Sequence, residues 1–376
     1  MKSSTKPVNK MKINLNQKKV TIADVAKAAG VSKTTVSRYI NGRKDLMGLE
    51  TQKRIQDMID LLDYHPSDTA RSLKSKKSNM IGVLVSDITS PFFSAIIAGI
   101  GEVLTKADYV PLFVNCENNP EKETKFIQSL LMKDVDGLIV NPCSPENNLL
   151  IQIACEGLPV VLCDRMVHNF NFDLVTIQNE KLVQHLITHL KAQGYTRVAF
   201  FSQDFKVNIV RQKRRDYYLR FMQDIFGYDA SQDVYVFSDD PQEQLEQVQH
   251  FLASVGPDEK PALLCANSIT TVRAYQTIKK LGLHMPDQLG LCGTDDWDWE
   301  NGMSWIDLCE TSVTTQTFSP KEIGRNCAKL ILEKIDSPQA APKKIYVDST
   351  LFARESTALA KAAGNPQSKD FSNKNK

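Results

Sequence analysis

Apolar positions change their period along the chain. Between residues 20 and 62 they recur at helical spacing in three short groups. Thr21 can cap a first helix in which Ile22, Val25 and Ala26 share one face, and Ala29-Gly30-Val31 supplies a turn in which Gly30 tolerates positive φ. Ser32 caps a second helix with Val36 and Ile40 pointing inward, and Asn41-Gly42 ends it. A third helix, about Leu49 to Leu62, offers Ile55, Met58, Ile59 and Leu62 as its inner face, with Gly48 at the capping position. From Met80 the pattern becomes short apolar runs alternating with amphipathic stretches. IGVLVSD, PLFVNC, GLIVNP and PVVLCD read as buried parallel strands between helices near 92–107, 120–133 and 146–156. RVAFFSQ, DVYVFSD, PALLCAN and LGLCGTD follow, with helices near 181–193, 211–226, 241–254 and 269–281. Two such series predict two doubly wound lobes that bind ligands outside the carboxyl ends of their strands.

Charge is unevenly distributed over the 376 residues. The formal net charge is only +2, yet residues 1 to 80 hold 17 Lys/Arg against 7 Asp/Glu, leaving 29 against 37 downstream. A basic end of this kind seeks a polyanion. Residues 1–19 carry six lysines among Ser, Asn and Gln and read as a flexible basic arm; 359–376, rich in Lys, Asn and Ser, read as a disordered tail. No stretch reaches the about 18 apolar residues that span a bilayer, and no apolar leader opens the chain, so the expected compartment is the cytoplasm, with no membrane partner.

Catalytic and cofactor motifs are missing. No GxGxxG follows the first strand, no GxxxxGK[ST] occurs, and AGIGE at 98–102 falls inside a helix, so no cofactor is expected. His185 and His189 stand four apart, but Leu186 breaks the HExxH zinc pattern, and both read as helix-surface residues. The eight cysteines show no CxxC pair, and most read as buried, reduced side chains, with no metal site. No GxSxG elbow is present, and the chain is expected not to be an enzyme.

Two short helices joined by a glycine turn, the second polar and cationic, match the geometry that lays a recognition helix in the DNA major groove. The run VTIADVAKAAGVSKTTVSRYINGR resembles the headpiece of the lactose-repressor-like (LacI/GalR) family nearly residue for residue. The resemblance extends over roughly residues 20 to 358. It implies an all-α helix-turn-helix headpiece at 20–65, a hinge at 66–79 and a periplasmic-binding-protein-like α/β core of two doubly wound parallel-sheet lobes at 80–358. Lobe one is expected at about 80–178 and 311–340, lobe two at about 179–310 and 341–358. Lys33 and Thr34 are the expected base contacts, Ser37 and Arg38 are shared between bases and phosphates, and Thr21, Ser32 and Asn41 complete the surface facing DNA. In SDTARSLKSKKS, Ala70 and Leu73 form an apolar edge. By resemblance Leu73 wedges into the minor groove while Arg71 and Lys74 meet phosphates; the competing reading is a solubilising linker.

The resemblance also populates the cleft. Asp87 ends the first strand, and Ser90-Pro91-Phe92-Phe93 opens the next helix so that Phe92 or Phe93 stacks on ligand. Asp164, in Cys163-Asp164-Arg165, accepts a hydroxyl or else forms a lobe-interface ion pair. Arg214 falls at the effector arginine, where a guanidinium suits a carboxylate, although Tyr217 replaces the family's glycine. The other cations of that run read as a solvated helix face. Asn267 stands at the ligand amide, followed by Ser268 in place of the usual Asp, and Asp295 accepts vicinal hydroxyls. Trp297 and Trp299 stack on a sugar face or pack at an interface. The DDWDW run, Met47-Gly48 and NPEKE at 119–123 resemble the branch responding to 2-keto-3-deoxygluconate and related sugar acids.

These features together imply a sequence-specific regulator, a homodimer on a pseudo-palindromic operator, whose DNA affinity is set by a small sugar or sugar-acid effector. The sign of that control, inducer or corepressor, stays open. A solute-binding protein or enzyme on the same two-lobed fold is the rival reading, and a nonspecific nucleoid protein is a third.

Overall fold

The computed structural model describes residues 20–64, 77–205, 208–296 and 304–359. The hinge residues Ala70, Arg71, Leu73 and Lys74, the tryptophans Trp297 and Trp299, the basic arm and nearly all of the tail lie outside the described residues. Two compact units divide the chain, residues 1–78 and 79–376.

In the first unit α1 (Ile22–Ala28), α2 (Lys33–Ile40) and α3 (Leu49–Leu61) surround a small core of Val25, Val36, Tyr39, Ile55 and Tyr64. Sequence logic sets each boundary. At α1 the Thr21 backbone N–H donates to Asp24 Oδ2 at 2.8 Å, and at α2 Ser32 Oγ accepts from Thr35 N at 3.1 Å. Gly30 and Gly42 take φ of +66° and +75° in the turns that follow. Tyr39 hydroxyl donates to Gln56 Oε1 at 2.8 Å and ties α2 to α3, an anchor that apolar spacing does not reveal.

The second unit holds two six-stranded sheets. Lobe one is built from β1 (Met80–Val85), β2 (Val110–Asn115), β3 (Gly137–Val140), β4 (Val160–Cys163) and β5 (Asp173–Ile177), joined by α4 (Pro91–Lys106), α5 (Pro120–Leu131) and α6 (Asn148–Cys155). Lobe two follows with α7 (Asn179–Gln193), β6 (Arg197–Ser202), α8 (Ile209–Phe221), β7 (Val234–Val236), α9 (Pro241–Ala253), β8 (Pro261–Cys265), α10 (Ser268–Lys280), β9 (Gly290–Thr294) and β10 (Thr314–Phe318). α11 (Pro320–Asp336) and β11 (Lys344–Val347) then return to lobe one, and β12 (Ser349–Phe352) closes lobe two. The sheet orders are β11-β5-β4-β3-β1-β2 and β12-β10-β9-β8-β6-β7, with only β12 antiparallel to its neighbour.

Strand pairing moves the expected lobe boundaries. β10 pairs in parallel with β9, Thr314 opposite Cys292, and so belongs to lobe two. β11 pairs with β5, Lys344 opposite Leu174, and extends lobe one. β5 itself was not anticipated, because DLVTI follows a polar loop closely and its five residues carry no helical or alternating signature. The chain therefore crosses between lobes three times, after β5, after β10 and after β11.

Lobe one is locked by a glycine contact between α4 and α11. A Cβ on Gly99 would lie 2.1 Å from the Lys321 carbonyl oxygen, and one on Gly324 would lie 2.1 Å from that of Ile96. AGIGE thus serves helix packing, and only glycine allows this approach. Gly99→Ala is expected to destabilise the core by about 1–3 kcal/mol, seen as a lower urea midpoint; an unchanged midpoint would mean that the two helices separate freely.

Candidate functional site

Doubly wound sheets present side chains from the loops at their strand ends, and here the two sets face each other across a cavity of about 110 Å³. Ser86 and Asp87 come from the end of β1, Phe92 and Phe93 from the start of α4, and Asp164 and Arg165 from the end of β4. Lobe two contributes Gln203, Arg211, Arg214, Asn267 and Asp295, and Phe318 ends β10. All the cleft residues named from sequence that fall within the described residues line this one cavity. A second cavity, about 610 Å³, adjoins it, sharing the Asp164 and Val210 wall, with Lys181, Lys213, Tyr217 and Tyr346 farther along.

Arg214 is 5% exposed and held from three sides. Its Nε donates to Asn179 Oδ1 at 2.8 Å, and Nη1 to the Ala266 carbonyl and to Thr294 Oγ1 at 3.0 Å, leaving Nη2 as the group to offer a ligand. Arg165, also buried, spans two lobe-one loops through Pro142 O at 3.2 Å and Asn118 Oδ1 at 3.1 Å, while its Nε has no acceptor. Arg211 corrects the expected solvated face. It lines the cavity, binds Asp204 O and Gln203 Oε1, and its guanidinium is pushed down to about 10 by burial and by the neighbouring Arg165 and Arg214. Arg215 does lie at the surface, paired with Asp216, whereas Lys213 points into the second cavity with Met166 Sδ as its acceptor.

Two carboxylates oppose these cations. Asp164 and Asp295 follow β4 and β9 with φ of +64° and +68°, a left-handed conformation that Asp and Asn adopt most readily among residues with a side chain. Burial raises both; Arg165 and Arg214 pull Asp164 back down, and Arg214 does the same for Asp295. Asp295 ends at about 6, and its Oδ1 is buried without a partner, an acceptor left for a ligand hydroxyl. Asp87 Oδ1 is occupied by the Thr89 backbone N–H and hydroxyl, so only Oδ2 faces the cavity unbonded. Asn267 caps α10 through Oδ1 and donates Nδ2 to Gln203 Oε1, which leaves one amide hydrogen for a ligand.

Phe93 is 5% exposed and part of the core, so Phe92 is the aromatic wall, set edge-on to Phe318 with ring centroids 6.2 Å apart. Phe318, Arg165 and Arg211 were not named as ligand contacts; a strand-terminal aromatic such as Phe318 was the available signal. His189 is half-buried and bonds Thr357 Oγ1 at 2.8 Å, so it is not a plain surface residue, while His185 remains exposed.

In the first unit Lys33, Thr34 and Arg38 are exposed along one side of α2, with Ser37 partly covered where Asn41 Nδ2 reaches back to it. Thr21, Ser32 and Asn41 are exposed at the helix ends. This polar, cationic helix face stands opposite the Val36 and Tyr39 side that fills the core.

A helix-turn-helix unit followed by two lobes that share a polar cavity is the architecture of a ligand-controlled, DNA-binding transcriptional regulator, and comparison with known proteins agrees. Residues 78–355 match the profile of periplasmic binding proteins and the sugar binding domain of the LacI family, and residues 21–67 match that of bacterial regulatory proteins of the lacI family. The chain belongs to the LacI family. The HTH-type transcriptional regulator KdgR of Bacillus subtilis is 32% identical over 338 residues, 89% of this chain and 97% of that protein. PtxS of Pseudomonas aeruginosa is 30% identical over 339 residues, 90% and 96% of the two chains. The lac repressor dimer bound to operator and the anti-inducer ONPF shares the fold, with a TM-score of 0.75 at 21% identity over 90% of this chain and 99% of that one. Among the described residues no helix is long and apolar enough to cross a membrane.

The Asp295 shift has a measurable consequence. Its folded pKa of about 6 lies above the ordinary 3.8, so the folded state holds the proton more tightly and stability falls as pH rises between those values. Ionised Asp295 then costs up to about 3 kcal/mol at neutral pH. Asp295→Asn is expected to raise the urea midpoint at pH 7.5, with the advantage vanishing near pH 3.8 and below. Equal midpoints at neutral pH would show that the carboxylate carries no such cost.

Proposed function

We propose that this protein is a cytoplasmic, homodimeric repressor whose 20–65 headpiece binds a pseudo-palindromic operator and whose cleft binds a sugar acid such as 2-keto-3-deoxygluconate. The observation that carries the reading is the convergence of Arg165, Arg211 and Arg214 with the carboxylates Asp164 and Asp295 in one cavity, where Asp295 Oδ1 has no partner. Guanidinium groups suit a ligand carboxylate, and unbonded carboxylate oxygens suit its hydroxyls. The 32% identity to KdgR fits the branch that the sequence resembles. Lys33 and Thr34 read bases, Ser37 and Arg38 read bases and phosphates, and Thr21, Ser32 and Asn41 position α2. Residues 66–79 act as the hinge, with Leu73 wedged into the minor groove, Ala70 beside it and Arg71 and Lys74 on phosphates.

Control follows from linkage. A ligand touching Asp164 and Phe92 in one lobe and Arg214, Asn267 and Asp295 in the other favours the closed arrangement, and three chain crossings let the lobes rotate as units. If closure disfavours the DNA-bound dimer, operator weakens ligand binding by the same factor, typically about 5 to 150 fold.

Fluorescence anisotropy on the protein's own promoter DNA, at fixed salt, tests this. Release by 2-keto-3-deoxygluconate but not by a neutral hexose is expected, and Arg214→Ala is expected to abolish release while DNA binding survives. Specific binding without release would discard the effector, and a responsive Arg214→Ala protein would remove the anchor. Leu73→Ala is expected to weaken operator binding and reduce its bend while sugar-acid affinity holds; unchanged operator affinity would exclude the wedge.

A further inference from the structure

Inside lobe one, behind the wall of the cleft, three ligating side chains meet. Cys116 follows β2, Glu123 lies in the first turn of α5 and Cys143 follows β3. Their Sγ and carboxylate atoms all lie within 4.8 Å of one another, and all three residues are buried. No short sequence spacing announces this set. It arises because β2 and β3 flank β1 in parallel, so that their carboxyl ends emerge side by side.

Two N–H donors orient Glu123. Cys143 N donates to Oε2 at 2.7 Å and Asn147 Nδ2 to Oε1 at 2.5 Å, which fixes the carboxylate while leaving lone pairs on both oxygens. Metal-binding carboxylates are commonly held in this way. Glu123 is 1% exposed and forms no ion pair among the described residues; burial raises it, and its hydrogen bonds and the nearby Arg165 offset that only in part.

We propose that Cys116, Glu123 and Cys143 form a binding site for a thiophilic divalent cation of the zinc type. Two sulfurs with one carboxylate suit Zn²⁺, whereas Mg²⁺ and Ca²⁺ require oxygen donors and Cu⁺ gains little from the carboxylate. Binding forms two metal–sulfur bonds and one metal–oxygen bond and releases both thiol protons to solvent. One dication replaces two protons, so the net charge of the buried trio is unchanged. Affinity therefore rises with pH. The ion would sit beside the effector cavity, because Arg165 binds Asn118 and Pro142, neighbours in sequence of the two cysteines.

The test is anaerobic Co²⁺ titration of the reduced, metal-free full-length protein. Cys155→Ser and Cys309→Ser are built in, because these are the more accessible thiols among the eight. A single cation per chain with a thiolate-to-cobalt charge-transfer band is expected, displaced by Zn²⁺ and accompanied by release of two protons. Cys143→Ser and Cys116→Ser are expected to lose the band. Glu123→Gln keeps both thiols and an acceptor for Cys143 N, and is expected to keep sulfur ligation with affinity lowered at least roughly tenfold. Should the cysteine variants fail to fold, Glu123→Gln decides the matter. Absence of the band in the folded parent, its persistence without Cys143 or Cys116, or unaltered affinity in Glu123→Gln overturns the site.

Discussion

The cleft keeps like charges together away from water, and much of the surrounding architecture serves that end. Burial, helped by the neighbouring Arg165 and Arg214, lowers Arg211 to about 10, and desolvation raises Asp164 and Asp295. Such groups stay in place only when backbone acceptors and neutral side chains fix them. Here Ala266 O, Thr294, Asn179, Pro142 O and Asn118 do so. Each comes from a strand end or a helix start, so the parallel sheets act as the rigid frame that keeps an energetically unfavourable site open for its ligand.

That frame is asymmetric. α4 and α11 touch backbone to backbone at Gly99 and Gly324, which leaves lobe one little freedom to slide internally. Lobe two carries Arg211, Arg214, Asn267 and Asp295 on loops and helix starts around its own sheet. A ligand joining the two faces bridges a tightly packed lobe and a second one tied to it by three passages of chain.

Much of this was legible in the chain, for identifiable reasons. Capping residues and glycine turns announced α1 and α2, and apolar runs ending in Asp or Asn announced the strands whose ends build the cleft. What escaped depended on pairing in space. TTQTF and KIYV look alike as short strands, and only hydrogen bonding with β9 or β5 assigns them to opposite lobes. Arg211 and Arg215 stand one turn apart on the same side of α8, so position along the helix and not phase separates Arg211, which lines the cavity, from Arg215, which pairs with Asp216. Cys116 and Cys143 belong to separate βα units, so their meeting with Glu123 is a property of sheet order that no spacing rule encodes.

An odd number of crossings has a topological consequence. The core begins in lobe one at β1 and, after three passages, finishes in lobe two beyond β12. Its first and last described segments therefore belong to different bodies. Fluorophores attached near Asn79 and near Leu359 would report the angle between those bodies, so the two ends of the lobed core supply the anchor points for an optical readout of cleft closure.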